Sequence, residues 1–163
     1  IRARSFVISS FGKTVHATGW KVAYCIAPQE LSIEFRKIHQ FVNFTTHTPT
    51  QWALAEFLAN YKEHYLTLPA FYQEKRDLFV DALQNSRFKI VPSKGTYFQL
   101  AEYSEISGET DIEFANYLTK EVGVAAIPIS VFCETLPSTK FIRFCFAKNN
   151  ETLLEACEKL RQI

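Results

Sequence analysis

Short runs of β-branched and aromatic residues alternate along this chain with segments in which apolar residues recur every three or four positions. That alternation restricts it to a mixed α/β architecture. Residues 5–10 and 20–27 read as strands, the second ending at Pro28. From 30 to about 41, Leu31, Phe35 and Ile38 keep helical spacing, and 49 to about 65 repeats the pattern with Trp52, Leu54, Ala55 and Leu58. Thr45, Thr46, His47 and Thr48 form the hinge between these two helices. After Pro69 a third periodic segment, 71–83, carries Asp and Glu toward its start and middle and is placed to link two domains. Beyond it, the strand-like runs 88–91, 96–100, 124–127 and 141–146 are separated by helices expected at 111–121 and 151–161, with Asn150 capping the last.

Composition narrows the function classes. The chain has 163 residues, 47% of them hydrophobic and 21% charged, with no apolar run long enough to span a bilayer, so a soluble chain of one large or two small domains is expected. Eighteen Lys and Arg against 17 Asp and Glu leave a net charge of +1, without the basic excess of a nucleic-acid surface. Cys25, Cys133, Cys145 and Cys157 lack the paired close spacing of a zinc site or a redox motif; no metal site is expected, and buried reduced thiols in a cytoplasmic protein are. No charged-then-apolar leader precedes the first strand-like run, an opening expected of a fragment.

Residues 11–19, between the first two strands, hold Gly, Thr and His, a polar connection of the kind that carries functional groups at a strand's end. There Ser10-Phe11-Gly12-Lys13-Thr14 admits two mechanistic readings. A nucleotide phosphate loop requires glycine five positions before Gly12, and Val7 stands there, so the backbone cradle is missing. The other reading uses Lys13 as an amine nucleophile that forms an imine with an aldehyde cofactor and then moves protons as general base and acid. Ser10 can then donate its hydroxyl to the cofactor's phosphate, and Lys21, on the returning strand, can add a compact positive charge to it. Against this stands the ordinary state of a lysine, a solvated surface side chain.

Phe141-Ile142-Arg143-Phe144-Cys145-Phe146 sets a guanidinium in an otherwise apolar strand, where a cation needs an anionic partner to offset desolvation. A substrate carboxylate can be that partner, met by two parallel hydrogen bonds from the planar fork. An internal Asp or Glu can equally fill the role.

The run Ser10 to Thr14, followed by Thr18-Gly19-Trp20-Lys21-Val22, resembles the Schiff-base region of class I aminotransferases of the fold type I pyridoxal-phosphate superfamily. Lys21 after Gly-Trp, where many members carry Arg, is similar to the kynurenine, glutamine and methionine aminotransferase branch. The likeness continues through 24–28, 47–51, 95–98, 123–132 and 141–148, so it covers essentially the whole chain. It implies an α/β chain that is the C-terminal part of such an enzyme. Residues 1–67 would be the end of the cofactor-binding large domain, a mixed sheet with helices, and 68–163 a linker helix and small α+β C-terminal domain.

The resemblance further implies pyridoxal 5'-phosphate held as a Schiff base by Lys13, with Ser10 and Lys21 on its phosphate and Arg143 on the substrate's α-carboxylate. The implied reaction passes the amino group of an apolar, sulfur-containing or aromatic amino acid to a 2-oxo acid. A full-length homodimer is implied, with 44–48 reaching the neighbouring subunit's site and His47 a candidate for lining it, although a lone histidine is more often structural and that is the favoured expectation. Gly95 to Phe98 and Ile127 to Ser130 resemble segments near the substrate, although both also read as a turn entering a strand and a strand end. In the family, the carboxylate that keeps the cofactor ring protonated comes from an earlier strand, as do the aromatic residue stacked on the ring and the Asn and Tyr at its phenolic oxygen. None of those segments is present, so the chain by itself is expected to be inactive. A carbon–sulfur β-lyase of the same fold, or a non-catalytic dimerisation or binding fragment, are the competing expectations.

Overall fold

Strands β1 (Val7–Ser10) and β2 (Ala23–Ile26) pair antiparallel, Val7 opposite Ile26 and Ser10 opposite Ala23. They come from a computed structural model that describes residues 2–135 and 137–163; Ile1, where the abrupt opening was read, lies outside the described residues. The connection between the strands is wound rather than open. Helix α1 (Phe11–Thr14) follows β1 directly, and a 3-10 turn, Thr18–Trp20, precedes β2. His16 and Lys21, at φ of 55° and 54°, take left-handed conformations uncommon for residues with a Cβ. Lys21 closes the 3-10 turn, which is why β2 begins at Ala23 and not at residue 20.

Helix α2 (Gln29–Val42) starts behind Pro28, and α3 (Thr48–Asn60) carries proline in its first turn, where the missing N–H would have had no helical partner. The expected helix 49–65 is corrected at its end. The chain leaves helical geometry at Tyr61, with ψ of 48°, and α4 (Lys62–Ala82) begins immediately. The separate segment expected from residue 71 is thus the second half of α4, which runs through Pro69. A proline inside a helix removes one bond to the carbonyl four residues back and crowds it, at a local cost in stability. The chain divides into two compact units at this proline, Ile1–Leu68 and Pro69–Ile163.

In the second unit, β3 (Lys89–Ile90), β4 (Phe98–Glu102), β5 (Ile127–Pro128) and β6 (Phe141–Cys145) form an antiparallel sheet in the order β3-β4-β6-β5. The strand expected at 124–127 is displaced: Val124 donates its amide to the Leu118 carbonyl and is buried against the core. Only Ile127 and Pro128 pair with β6, at the sheet's edge, where proline's missing donor is tolerated. Helix α5 (Asp111–Tyr117) begins at a capping box. Thr110 accepts from the Glu113 amide, and the Glu113 carboxylate accepts from the Thr110 amide. The helix widens into a π turn, Leu118–Val122, which Gly123 ends at φ 77°.

Helix α6 (Asn150–Leu160) is capped by Asn149, not by Asn150 as expected. The Asn149 side chain accepts from the Thr152 amide at 2.8 Å, whereas that of Asn150 accepts from Lys75 Nζ.

The core lies in this second unit. Ile142 and Phe144 of β6 and Ala101 of β4 face inward with Phe79, Phe88, Tyr103, Phe114, Leu153 and Leu160. The Tyr103 and Phe114 rings stack with centroids 4.2 Å apart. Strand period does the sorting: Phe141, Arg143 and Cys145 alternate onto the sheet's other, half-open face. The first unit buries far less. Val7 and Ile8, on opposite faces of β1, are 56% and 71% exposed, and Phe41 of α2 is 86% exposed. The four cysteines are free, and the expectation that all are buried needs correction: Cys157 is buried, Cys25 and Cys145 are half-buried, and Cys133, beside a surface turn, is exposed.

Candidate active site

Pairing of β1 with β2 places three candidate residues at one end of a ribbon. Ser10 stands opposite Ala23, and the Phe11 amide extends the ladder by donating to the Val22 carbonyl at 3.1 Å. Lys21 follows at the next step of the returning chain. Ser10 is the N-cap of α1, its Oγ accepting from the Gly12 amide at 3.1 Å, and this sets the short helix that carries Lys13. Gly12 is buried because the chain folds back tightly: a Cβ there would lie 3.1 Å from the Thr18 Cα and 3.3 Å from Ser10 Oγ. The hydroxyl proton of Ser10 points to the Val22 carbonyl at 3.4 Å, long for an O–H donor, so the proton is loosely held. Lys13 and Lys21 are both exposed.

A residue not singled out in the sequence braces this connection. His64, near the start of α4, donates from Nε2 to the Thr14 carbonyl at 2.8 Å, which is the residue after Lys13. The edges of His16 and Phe57 meet its ring at 5.6 and 5.3 Å between centroids. His47 sits elsewhere in the unit, as the residue before α3, where its exposed ring Nδ1 lies 2.9 Å from the Thr50 hydroxyl.

In the second unit, Arg143 occupies the middle of β6, opposite Leu100 of β4 and Ile127 of β5. Its guanidinium lies between two aromatic rings. Cζ is 4.1 Å from the Phe98 centroid and 4.9 Å from that of Phe132. Phe98 is the diagonal neighbour of Arg143 across β4 and β6, two residues from its direct partner and on the same face. The Arg143 Nε is buried with no hydrogen-bond partner, and among the described residues no carboxylate pairs with the guanidinium. The internal ion pair that could have partnered this arginine is therefore absent among the described residues. A stacked guanidinium has its faces occupied and its N–H edge left for a planar anion. Of the flanking segments, Gly95 to Phe98 supplies one ring, and the stretch after Ile127 turns through Ser130–Phe132 to supply the other.

Both the fold and its relatives can now be placed. The structure superposes on a crystal structure from Escherichia coli described as identifying a methionine aminotransferase function, with a TM-score of 0.96 and 55% identity over 99% of this chain and 42% of that one. It also superposes on N-succinyldiaminopimelate aminotransferase from Mycobacterium tuberculosis, with a TM-score of 0.88 and 32% identity over 99% of this chain and 42% of that one. These are pyridoxal-phosphate-dependent aminotransferases of fold type I, the α/β class expected above. Residues 2–160 match the family model for aminotransferase class I and II, and the chain belongs to that family.

Among curated proteins it is 55% identical to methionine aminotransferase of Escherichia coli strain K12, over 100% of this chain and 42% of that protein. It is 36% identical to a kynurenine–oxoglutarate transaminase of Dictyostelium discoideum, over 98% of this chain and 42% of that protein. The chain thus spans about two fifths of the length of the curated relatives it matches.

The family's cofactor is pyridoxal 5'-phosphate, and the donor chemistry present fits it. A phosphate calls for hydroxyl and cationic donors, and the Ser10 hydroxyl, with its loosely held proton, and the Lys21 ammonium share one end of the ribbon. An aldehyde calls for an amine, and Lys13 lies on the intervening turn of α1.

Proposed function

We propose that this chain is the C-terminal part of a pyridoxal-phosphate-dependent aminotransferase that takes the amino group from an apolar, sulfur-containing or aromatic amino acid and passes it to a 2-oxo acid. The observation that carries the reading is the family match across residues 2–160. Methionine is the first donor to test, because a relative bearing that activity is 55% identical over the whole chain. In this reading 1–67 belong to the cofactor domain and 68–163 to a linker helix and small C-terminal domain. The exposed Val7, Ile8 and Phe41 are then surfaces that the rest of a homodimeric enzyme covers. The four free thiols accord with a cytoplasmic setting.

When bound, the cofactor supplies an aldehyde able to bond an amine and a ring that withdraws electrons from the substrate's α-carbon. Lys13 would hold the cofactor through its amine and, when free, would be the base that carries a proton away from the substrate's α-carbon. Ser10 donates its hydroxyl proton to a phosphate oxygen while its Oγ keeps capping α1. Lys21 adds a point charge to the same phosphate. Arg143 holds the α-carboxylate by its N–H edge, using the Nε that has no hydrogen-bond partner among the described residues.

The test is product analysis with the complete protein, supplied with methionine or an aromatic amino acid and a 2-oxo acid. Transfer of the amino group, lost in Lys13→Ala, supports the reading. Release of ammonia with pyruvate from a cysteine conjugate, without transfer, replaces it with a carbon–sulfur lyase. Failure of the complete protein to bind pyridoxal phosphate replaces it with a non-catalytic assembly role.

A further inference from the structure

The two rings that sandwich Arg143 are held in different ways. Phe98 belongs to β4, and the ladder between β4 and β6 fixes it relative to Arg143. Phe132 lies at the end of a single 3-10 turn, Ser130–Phe132, and is 63% exposed, so packing contributes little to its position. What anchors this turn is a buried contact at its first residue. Asp111, the first residue of α5, accepts the Ser130 amide on one carboxylate oxygen and the Ser130 hydroxyl on the other, both at 2.7 Å, and both residues are buried.

Burial alone would raise the Asp111 pKa, but donation from Ser130, joined by the amides of Ile129 and Ile112, outweighs it and holds the carboxyl below its ordinary value. The anion is therefore the form that grips Ser130. From there to Phe132 the backbone is stiff, because the Phe132 amide bonds the Ile129 carbonyl and the Cys133 amide bonds the Ser130 carbonyl, each at 3.0 Å.

We infer that Asp111 is a positioning residue for substrate recognition: through Ser130 it sets Phe132 against the Arg143 guanidinium and so fixes the plane in which that arginine meets a carboxylate. The inference rests on the reading of Arg143 as the carboxylate-binding residue. An arginine stacked on one ring alone can tilt about its own side chain, and a tilted fork forfeits the second of two parallel hydrogen bonds. Asp111 has no part in proton transfer here, so its loss weakens binding and leaves the chemical step alone.

The experiment uses the complete enzyme and measures KM for the amino acid, kcat, the thermal midpoint, and Ki for 4-methylsulfanylbutanoate, a carboxylate without an amino group. Four variants are compared: Asp111→Asn, Phe132→Leu, the double variant, and Arg143→Gln. Asparagine can accept from the Ser130 amide with Oδ1 and donate from Nδ2 to the Ser130 hydroxyl oxygen, so Asp111→Asn folds with the turn held by neutral, weaker bonds in place of charge-assisted ones.

The expected result is a five- to tenfold rise in KM and Ki for each of the first two variants, about 1–1.4 kcal/mol, with kcat within about twofold of the parent. The double variant should be no worse than the worse single one, because both act on one ring. A lowered thermal midpoint in Asp111→Asn with KM and Ki unchanged would mean that the aspartate only closes α5, and the inference falls. Additive effects of Asp111→Asn and Phe132→Leu would also overturn it, by breaking the route through the ring. If Arg143→Gln itself leaves Ki unchanged, the reading of Arg143 has failed and the inference goes with it.

Discussion

Replacing Arg143 by methionine should separate stability from function, and the magnitude can be worked from its surroundings. The buried Nε without a partner costs about 1–3 kcal/mol of unrecovered desolvation, and methionine removes that cost. Against this, the guanidinium's stacking on Phe98 and Phe132 is lost, at about 0.5–1 kcal/mol per ring for a partly open site. A thioether between the same rings returns about 0.3–1.5 kcal/mol. Summed, these run from a loss of about 0.7 to a gain of about 3.5 kcal/mol, so the chain should lose no more than about 1 kcal/mol of stability, which is about 2–4 °C in thermal midpoint for a chain of this length. An arginine in a buried ion pair behaves otherwise, because breaking such a pair costs about 3–5 kcal/mol.

The assay is urea denaturation of parent and Arg143→Met chains, read by near-ultraviolet circular dichroism with both slopes fitted. Carboxylate binding by the complete enzyme should meanwhile weaken by two charge-assisted hydrogen bonds, about 3 kcal/mol or more than a hundredfold in KM. A stability loss of 3 kcal/mol or more would refute the reasoning, since it would show that the arginine is held by a partner within the fold.

Two further outcomes follow from local geometry. Thr110→Ala removes half of the capping box on α5, including the bond from the Glu113 amide, and should cost about 1 kcal/mol by the same denaturation measurement; an unchanged midpoint would mean the cap is not formed in solution. Burial pushes the Cys157 thiol up to about 11 while Cys133 is exposed, so iodoacetamide at pH 8 should label Cys133 in minutes and Cys157 only on unfolding. The native state favours the protonated Cys157 thiol. Its contribution is complete below the ordinary thiol pKa and is lost as pH rises from about 9 through about 11, a decline that Cys157→Ala should lack.

Much of the fold was legible because its strands and helices obey simple periods. Ile142 and Phe144 point into the core and Arg143 away from it, as period two dictates. The errors lie where tertiary contacts override local signals. Val124 reads as strand but is drawn back to close the π turn, and Pro69 reads as a boundary but sits inside α4. Asn150 reads as a cap as well as Asn149 does, until Lys75 engages its side chain.

The candidate site was legible in part. Lys13, Ser10 and Lys21 come from one contiguous motif. Phe98, Phe132 and Asp111 reach Arg143 or its neighbours only through sheet register and a buried turn, which no short pattern encodes. His64 gave no signal of its own, being one histidine in an amphipathic helix, yet it holds the carbonyl next to Lys13. The alternation that places Phe98 on the same face as Arg143 could have been read once the pairing of β4 with β6 was known.

The account turns on Lys13, and its most direct test is chemical. The complete protein is loaded with pyridoxal phosphate, reduced with borohydride to fix any covalent link, digested, and its peptides weighed. The account predicts a pyridoxyl-phosphate adduct on the peptide carrying Lys13, at that residue, and none in Lys13→Ala. An adduct on another lysine, or none in protein that has demonstrably bound the cofactor, would contradict it.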